Sequence, residues 1–238
     1  MARRRFFVDA IRGGEAELRG DEARHLARVL RAEPGQRYEI TDSRNAWLAE
    51  IAEARGDRVL FRLIEAVESP EAPVRVAAAA ALIKFDRFEW MIEKLTELGV
   101  ERILPFEAAR SGGGLAAAAR KRIERWRRIA KESSQQSRRL RAPEILPAAS
   151  FEAALIEPAN YRYFLDEAGA APIIRVLPAY RTRAATVTLL TGPEGGWTES
   201  ERQLAGAAGW QPVSLGPQIL RAETAAIAAV AVLVNGWM

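Results

Sequence analysis

The sequence predicts an α/β protein in two parts: a small β-rich domain followed by a larger domain built on a mainly parallel sheet. Three observations predict it. Up to about Glu68, short β-like runs alternate with turns. Ser69-Pro-Glu-Ala-Pro73 then holds the chain extended, because proline fixes its own φ and restricts the residue before it. From Val74 onward, apolar strand-like runs alternate with helical patterns, which implies strands joined by helices. The expected organisation is a first domain over 1–68, a linker over 69–73 and a second domain over 74–238.

In the first part the strand expectations are Arg5–Val8, Arg37–Thr41, Ala46–Ala52 and Arg58–Ala66, with turns at Pro34–Gly35 and Gly56–Asp57. One helix fits between them, from Asp21 to Leu30, with Asp21 as its N-cap. In the second part Val74–Ile83 is an apolar run broken only by Arg75, as expected of a strand buried on both faces. A helix from Asp86 to Leu98 follows, with Phe88, Met91, Ile92 and Leu95 at i, i+3, i+4 and i+7 and Gly99 to end it. Val100–Pro105 reads as a strand and Arg120–Ser134 as a helix. Tyr161–Asp166 is a strand, Pro172–Tyr180 a helix and Thr186–Thr191 a strand. Thr198-Glu-Ser-Glu201 is a capping box opening another helix. Val213–Leu215 is a last short strand and Ala222–Val234 the last helix.

Composition limits the chemistry. With 238 residues and 49% hydrophobic content the chain can bury a real core. There is no cysteine, which excludes disulfides, thiolate-held iron–sulfur clusters and a cysteine nucleophile. The single histidine, His25, leaves no zinc site of the Cys/His kind, and no metal is expected. The basic N-terminus has no apolar core behind it and so is not a secretory signal, and Thr224–Met238 is shorter than the roughly 20 apolar residues of a membrane span. A cytoplasmic protein without a membrane partner is expected. The net charge of +4 agrees with an anionic partner.

Two loops are candidates for a ligand site. Leu189-Leu-Thr-Gly-Pro-Glu-Gly-Gly-Trp197 ends an apolar strand in a glycine-rich turn, just before the capped helix. Ser214-Leu-Gly-Pro-Gln-Ile-Leu-Arg-Ala-Glu-Thr224 repeats the strand, Gly-Pro turn and helix pattern, with Arg221, Glu223 and Thr224 opening an otherwise apolar helix. Ligands of open α/β sheets sit at the carboxyl ends of strands, and glycine lets backbone approach them. Neither loop has the spacing of a dinucleotide or P-loop motif. Each loop taken alone is also satisfied by a plain turn and helix start.

A basic segment points to nucleic acid. Arg120 to Arg141 holds ten Lys/Arg against Glu124 and Glu132, while Ile123, Trp126, Ile129 and Ala130 give its helix an apolar face. Arg122, Arg125, Arg138 and Arg139 are candidate RNA contacts on this segment, and Arg110 precedes them. In the first domain the candidates are Arg3, Arg4 and Arg5, then Arg24, His25, Arg28 and Arg31, with Arg24, Arg28 and Arg31 spaced along one helical face. A packed or capping role for His25 is the plainer alternative.

Taken together, Gly192-Pro-Glu-Gly-Gly-Trp197 and Leu215-Gly-Pro-Gln-Ile-Leu-Arg-Ala-Glu-Thr224 resemble the cofactor loops of the SPOUT methyltransferases. With Arg4–Val8, Gly20–Arg31, Glu89–Val100 and Arg125–Ala130, nearly the whole chain resembles the RsmE-type family, which methylates N3 of a uridine in 16S rRNA of the small ribosomal subunit. The resemblance implies a trefoil-knotted SPOUT domain behind a PUA-like β-barrel that binds RNA, and a homodimer. It implies S-adenosyl-L-methionine (SAM) as cofactor, held by Leu190, Thr191, Gly192, Glu194, Gly195 and Gly196 of one loop. From the other loop it implies Leu215, Gly216, Ile219, Leu220, Arg221 and Thr224. The chain departs from the family where Ala109-Arg-Ser111 replaces the usual Glu-Arg-Ser, at Gln135 where an acid is common, and at Arg138 where small residues stand, so no carboxylate role is carried to 109 or 135.

Uracil N3 carries a proton and becomes a good nucleophile only as that proton leaves. Arg221 is the candidate cation for the developing anion, and Glu194 and Glu223 are candidates for accepting the proton or positioning the base. Two other readings of the sequence stand beside this one: a SPOUT 2′-O-ribose methyltransferase, and a non-catalytic RNA-binding protein of ribosome assembly.

Overall fold

The computed structural model describes residues 4–69 and 72–238. The chain divides into two compact units, Met1–Glu71 with Ser134–Ala142, and Ala72–Ser133 with Pro143–Met238. In the first unit lie β1 (Arg5–Phe7), β2 (Ile11–Arg12), β3 (Glu15–Arg19), β4 (Arg37–Thr41), β5 (Ala46–Arg55) and β6 (Arg58–Val67). They form a six-stranded sheet in the order β1-β4-β5-β6-β3-β2, antiparallel except for β1 beside β4. Register shifts at Leu48/Ala49 and Ile51/Glu53 bend the long β5–β6 ribbon, as bulges do. The core of this unit is Phe6, Leu18, Ile40, Ile51, Val59 and Phe61, supplied by its strands, together with Leu26 from the helical segment after β3.

Three expectations for this unit are corrected. The helix expected from Asp21 to Leu30 is a short α1 (Gly20–Arg24) running into a π-helical turn, His25–Val29. Its N-cap is Arg19, without a side-chain cap bond, and Asp21 lies inside the first turn. The wider turn breaks the spacing that would align Arg24, Arg28 and Arg31, and Arg31 sits beyond the helix with φ +50. Arg5, expected to contact RNA, is 2% exposed and so cannot reach a phosphate. Its Nε and Nη2 donate to Glu39 Oε2 at 3.1 and 2.9 Å, a buried pair that joins β1 to β4. Arg138 also pairs with Glu39, which ties Ser134–Ala142 into this unit.

The second unit contains β7 (Arg75–Ala81), α2 (Phe85–Glu97), β8 (Arg102–Glu107), α3 (Leu115–Ala119) and α4 (Ile123–Gln136). Then come β9 (Glu144–Ile145), β10 (Ala149–Ser150), α5 (Phe151–Leu155), β11 (Tyr161–Leu165) and α6 (Ile173–Val176). It closes with β12 (Thr186–Thr191), α7 (Glu199–Ala207), β13 (Gln211–Val213) and α8 (Ala222–Gly236). The sheet is parallel throughout, in the order β10-β8-β7-β12-β11-β13, with β9 beside β8. Thus the α/β class with a parallel sheet is as expected.

Alternation along β7 divides the core into two layers. Val76, Ala78 and Ala80 face α2, α4 and α8 through Phe88, Trp126 and Ala229, while Ala79 and Ala81 face Phe106, Phe151 and Trp197. The alanine run makes the central strand thin, so both layers close tightly on it. The helix expected over Pro172–Tyr180 is only the single turn α6, because Leu177 precedes Pro178 and is driven to ψ +141. After it, Trp237 Nε1 donates to Thr182 O at 3.3 Å, so the segment past α6 holds the end of α8.

Candidate functional site

The carboxyl ends of β11, β12 and β13 open into a cavity of about 410 Å³, a suitable size for a small cofactor. Its first wall is the loop after β12. Gly192 has no room for a side chain, since a Cβ there would lie 2.8 Å from Trp197 Cε2. Trp197 is buried, stacks on Phe164 with centroids 4.6 Å apart and donates from Nε1 to Leu165 O at 2.7 Å. The indole therefore pins the loop to the end of β11. Gly196 takes the left-handed φ of +68 that the turn requires. Thr198 then caps α7 in the expected capping box with Glu201.

The second wall is the loop from Ser214 to Arg221. The Ser214 hydroxyl donates to Ala170 O at 2.8 Å, and Gly216 turns the chain at φ +123. Ile219 and Leu220 are exposed, and Arg221 forms the N-cap of α8. Among the described residues no hydrogen bond or ion pair engages the Arg221 guanidinium, which lines the cavity. The end of β11 supplies the third wall, Asp166 and Glu167. Arg202 grips buried Asp166 with Nε at 2.8 Å and Nη2 at 3.2 Å. That hydrogen bond raises the Arg202 pKa, with desolvation opposing it. Arg87, from the first turn of α2, reaches the same cavity and pairs with Glu194.

Of the expected cofactor residues, Thr191, Gly192, Glu194, Gly195, Gly196, Leu215, Gly216, Ile219, Leu220 and Arg221 line this one cavity. Leu190 does not, being wholly buried in the sheet core, and neither does Thr224, which is exposed on α8. Glu223 is 5% exposed and stands outside the lining. Sequence reasoning missed Arg87, Asp166, Glu167 and Arg202. The acidic pair after the apolar run of β11 was a usable signal, since strand ends bear ligands. Arg87 carried none.

The expected RNA contacts are scattered. In the second unit Arg110 lies on the cavity loop, donating from Nη1 to Gly195 O at 3.1 Å and Trp197 O at 3.2 Å. Arg122 and Arg125 both bind Glu89 of α2, at 3.0 and 2.8 Å. The pair with Arg125, aided by Arg122 and opposed by desolvation, holds the Glu89 carboxyl below the usual range. In the first unit Arg24, His25, Arg28 and Arg31 are exposed, Arg24 being paired with Asp21, and Arg4 and Arg139 are half-buried. Arg3 lies outside the described residues.

The fold and cavity find their match among RNA-modifying enzymes. An RNA methyltransferase domain matches residues 70–234, and an RNA methyltransferase PUA domain matches residues 18–64. The ribosomal RNA small subunit methyltransferase E of Bacillus subtilis is 32% identical over 226 residues, 91% of this chain and 88% of that protein. The protein of the same name from Synechocystis is 34% identical over 87% of this chain and 68% of its own length. Among solved structures, methyltransferase E from Neisseria gonorrhoeae, bound to S-adenosyl methionine, superposes with a TM-score of 0.87 at 28% identity and covers 98% of each chain. A methyltransferase from Legionella pneumophila with its cofactor SAM bound also gives 0.87 at 28% identity, over 98% of this chain and 97% of that one. The chain belongs to the ribosomal RNA small subunit methyltransferase E family. Among the described residues no group of three or more His, Asp or Glu could hold a metal, and no helix is long and apolar enough to cross a membrane.

Proposed function

We propose that the chain uses SAM to methylate N3 of a uridine in 16S rRNA of the small ribosomal subunit. The observation that carries the reading is the Arg221 guanidinium, without an ion pair among the described residues, at a glycine-walled cavity formed by three parallel strand ends. The residues fit the cofactor. The cavity has the volume, Gly192 and Gly216 keep its walls to bare backbone, and a Cβ at Gly216 would meet only open space. The loops Thr191–Gly196 and Leu215–Arg221 would hold SAM largely through backbone, with Glu167 adding a carboxylate at the rim. When bound, SAM supplies an electrophilic methyl group.

The chain's own side chains act on the uracil. Arg221 offers donors to the charge that develops as N3 loses its proton, and donors already in place cost no reorganisation at that moment. Glu194 lines the cavity and is the carboxylate able to take that proton, whereas Glu223 stands outside the lining. N3 lies on the Watson–Crick edge, so a paired uridine must first be unpaired. Exposed Arg24, His25, Arg28 and Arg31 of the PUA-like domain, and Arg122 and Arg125 of the second unit, would meet the RNA backbone. Ile219, 82% exposed beside the cavity, is an apolar side chain that a second copy would cover in a homodimer. The family resemblance further implies a trefoil knot around the site, and action in the cytoplasm, where ribosomal subunits mature.

The test is methyl transfer from labelled SAM to small subunits lacking the modification, followed by nucleoside mass spectrometry. The expected product is 3-methyluridine, and a 2′-O-methylated nucleoside would sink the N3 assignment. Arg221→Ala should lower kcat by about 10²–10³, the usual loss for one such donor. An unchanged kcat with SAM and RNA binding intact would remove Arg221 from the chemistry.

A further inference from the structure

We infer that Arg87 is a positioning residue of this site: it fixes the Glu194 carboxylate, and with it the loop from Gly192 to Trp197, against the start of α8. The inference rests on the methyltransferase reading for its consequence in catalysis, but not for its geometry. α2 is an immobile base, because Phe88, Met91, Ile92 and Leu95 are all buried within 1% exposure. Its first turn carries Arg87 to the cavity, where Nη1 pairs with Glu194 Oε1. The same guanidinium places Nε 3.9 Å from Glu223 Oε1 on the first turn of α8.

Glu223 explains why one cation faces two acids. Its side chain is 7% exposed, and Oε2 has no hydrogen-bond partner. A buried carboxylate needs a counter-charge. Among the described residues, Arg87 is the only cation within ion-pair distance of it. The N-terminus of a 15-residue helix adds a favourable dipole. Glu194, by contrast, sits in a loop with glycine at 192, 195 and 196, where backbone freedom is greatest. The loop is otherwise held at its end, by Trp197 and by Arg110 on two carbonyls. Among the described residues, Arg87 is the only side chain that engages the Glu194 carboxylate, the group that would take the uracil proton. It thereby links the walls of the cavity contributed by the loop and by α8.

The experiment compares Arg87→Ala, Arg87→Lys, Glu194→Gln and the double variant Arg87→Ala/Glu194→Gln. SAM affinity is measured by calorimetry, kcat and KM by methyl transfer to small subunits, and amide exchange over 192–197 without cofactor. Arg87→Ala should weaken SAM about tenfold, or about 1.4 kcal/mol. It should also lower kcat, leave KM for the RNA substrate unchanged and speed exchange in the loop. Arg87→Lys should restore part of the affinity, because it keeps the charge but loses the fork. In SAM affinity and loop exchange the double variant should be no worse than Arg87→Ala, since both remove one contact, while its kcat also carries the loss of the Glu194 carboxylate. Glu194→Gln leaves Arg87 opposite Glu223, so it tests the contact even if Arg87→Ala fails to fold. Additive losses of SAM affinity in the double variant, or loop exchange unchanged in both Glu194→Gln and Arg87→Lys, would overturn the assignment. A wild-type chain that binds no SAM would refute the functional reading, and loop exchange would then decide the role of Arg87 alone.

Discussion

Gly192 tests whether steric exclusion, rather than backbone freedom, dictates the glycine at the head of the cavity loop. Its φ lies outside the left-handed region, so alanine meets no backbone strain there. What alanine meets is the indole: its Cβ would stand 2.8 Å from Cε2 and 3.1 Å from both Cζ2 and Nε1 of Trp197. The ring cannot retreat. It is 4% exposed, wedged against Phe164, Phe151 and Phe106 at 4.6, 5.7 and 6.3 Å, and tied to Leu165 O. Overpacking of this kind costs about 1–3 kcal/mol, and each kcal/mol lowers the melting temperature by about 2–4 °C in a chain of this size. Leucine at 197 ends at its δ carbons and places nothing where the three clashing atoms stand. Gly192→Ala should therefore cost only a few tenths of a kcal/mol in a Trp197→Leu background, a coupling of about 1 kcal/mol or more. Urea unfolding of the four proteins of this cycle, followed by circular dichroism, measures it. Equal costs for Gly192→Ala in the two backgrounds would show that the indole is not what excludes the methyl group.

Other residues give equally direct expectations. Arg5→Met should cost the first unit about 1–3 kcal/mol, less than a wholly unpaired buried charge would, because Glu39 keeps Arg138 as a partner, and Arg5→Met/Glu39→Leu should recover part of that loss in urea unfolding. Thr198→Ala should cost about 1 kcal/mol by removing the cap of α7, and because Glu201 also accepts from Ala109 N, a loosened Glu201 should speed exchange at that amide. The hydrogen bond from Arg125, aided by Arg122, holds Glu89 below the ordinary carboxylate range, so its contribution is present above the unfolded carboxylate range and is lost as pH falls through the lowered folded value. The stability difference between wild type and Glu89→Gln should accordingly be full near neutrality and shrink in acid. Exposed Arg120 and Lys121, which have no ion pair among the described residues, should each reduce the salt slope of single-stranded RNA binding by about 0.7 when replaced by alanine.

The parts of the fold legible in the sequence are those where one local signal suffices. β12 has the expected bounds, Thr186–Thr191, because an apolar run leads straight into glycine and proline. Phe88, Met91, Ile92 and Leu95 mark α2 by period, and Thr198 with Glu201 marks the start of α7 by chemistry. The missed elements lack such signals. β3 reads Glu-Ala-Glu-Leu-Arg, where the buried pair Ala16 and Leu18 is too short a stripe to stand out, and α3 and α5 have five residues each. The π turn at His25 is decided by packing of Leu26 into the sheet core, which no spacing rule contains. The same division runs through the site. Both glycine loops could be read, because a loop advertises itself in its own residues. Arg87 and Arg202 could not, because each matters only through an acid far along the chain, at 107 and 36 residues' separation.

Charge shows most plainly how contacts revise a sequence count. Between Arg120 and Arg141 ten basic residues face two acids in the sequence, yet the acids that answer them lie partly elsewhere. Arg122 and Arg125 share Glu89 from α2, Arg127 takes Glu124, and Arg138 takes Glu39 from the β-domain. Arg110, whose place ahead of the basic helix made it a candidate RNA contact, spends its guanidinium on two carbonyls of the cavity loop. Such arginines shape the protein before they meet any RNA, and an exposed pair contributes little until a phosphate competes for it. Arg221 differs from them in kind. It stands on the cavity wall with no partner among the described residues, although three carboxylates, Asp166, Glu167 and Glu194, line the same space. Asp166 is held by Arg202 and Glu194 by Arg87, so two of the three acids have cations of their own, and among the described residues the third, Glu167, makes no ion pair with Arg221, whose donors stay open to an anion that the cavity admits. The ion pairs around the cavity thus do the sorting that the sequence could not show: they occupy the structural arginines and leave one guanidinium open for the substrate.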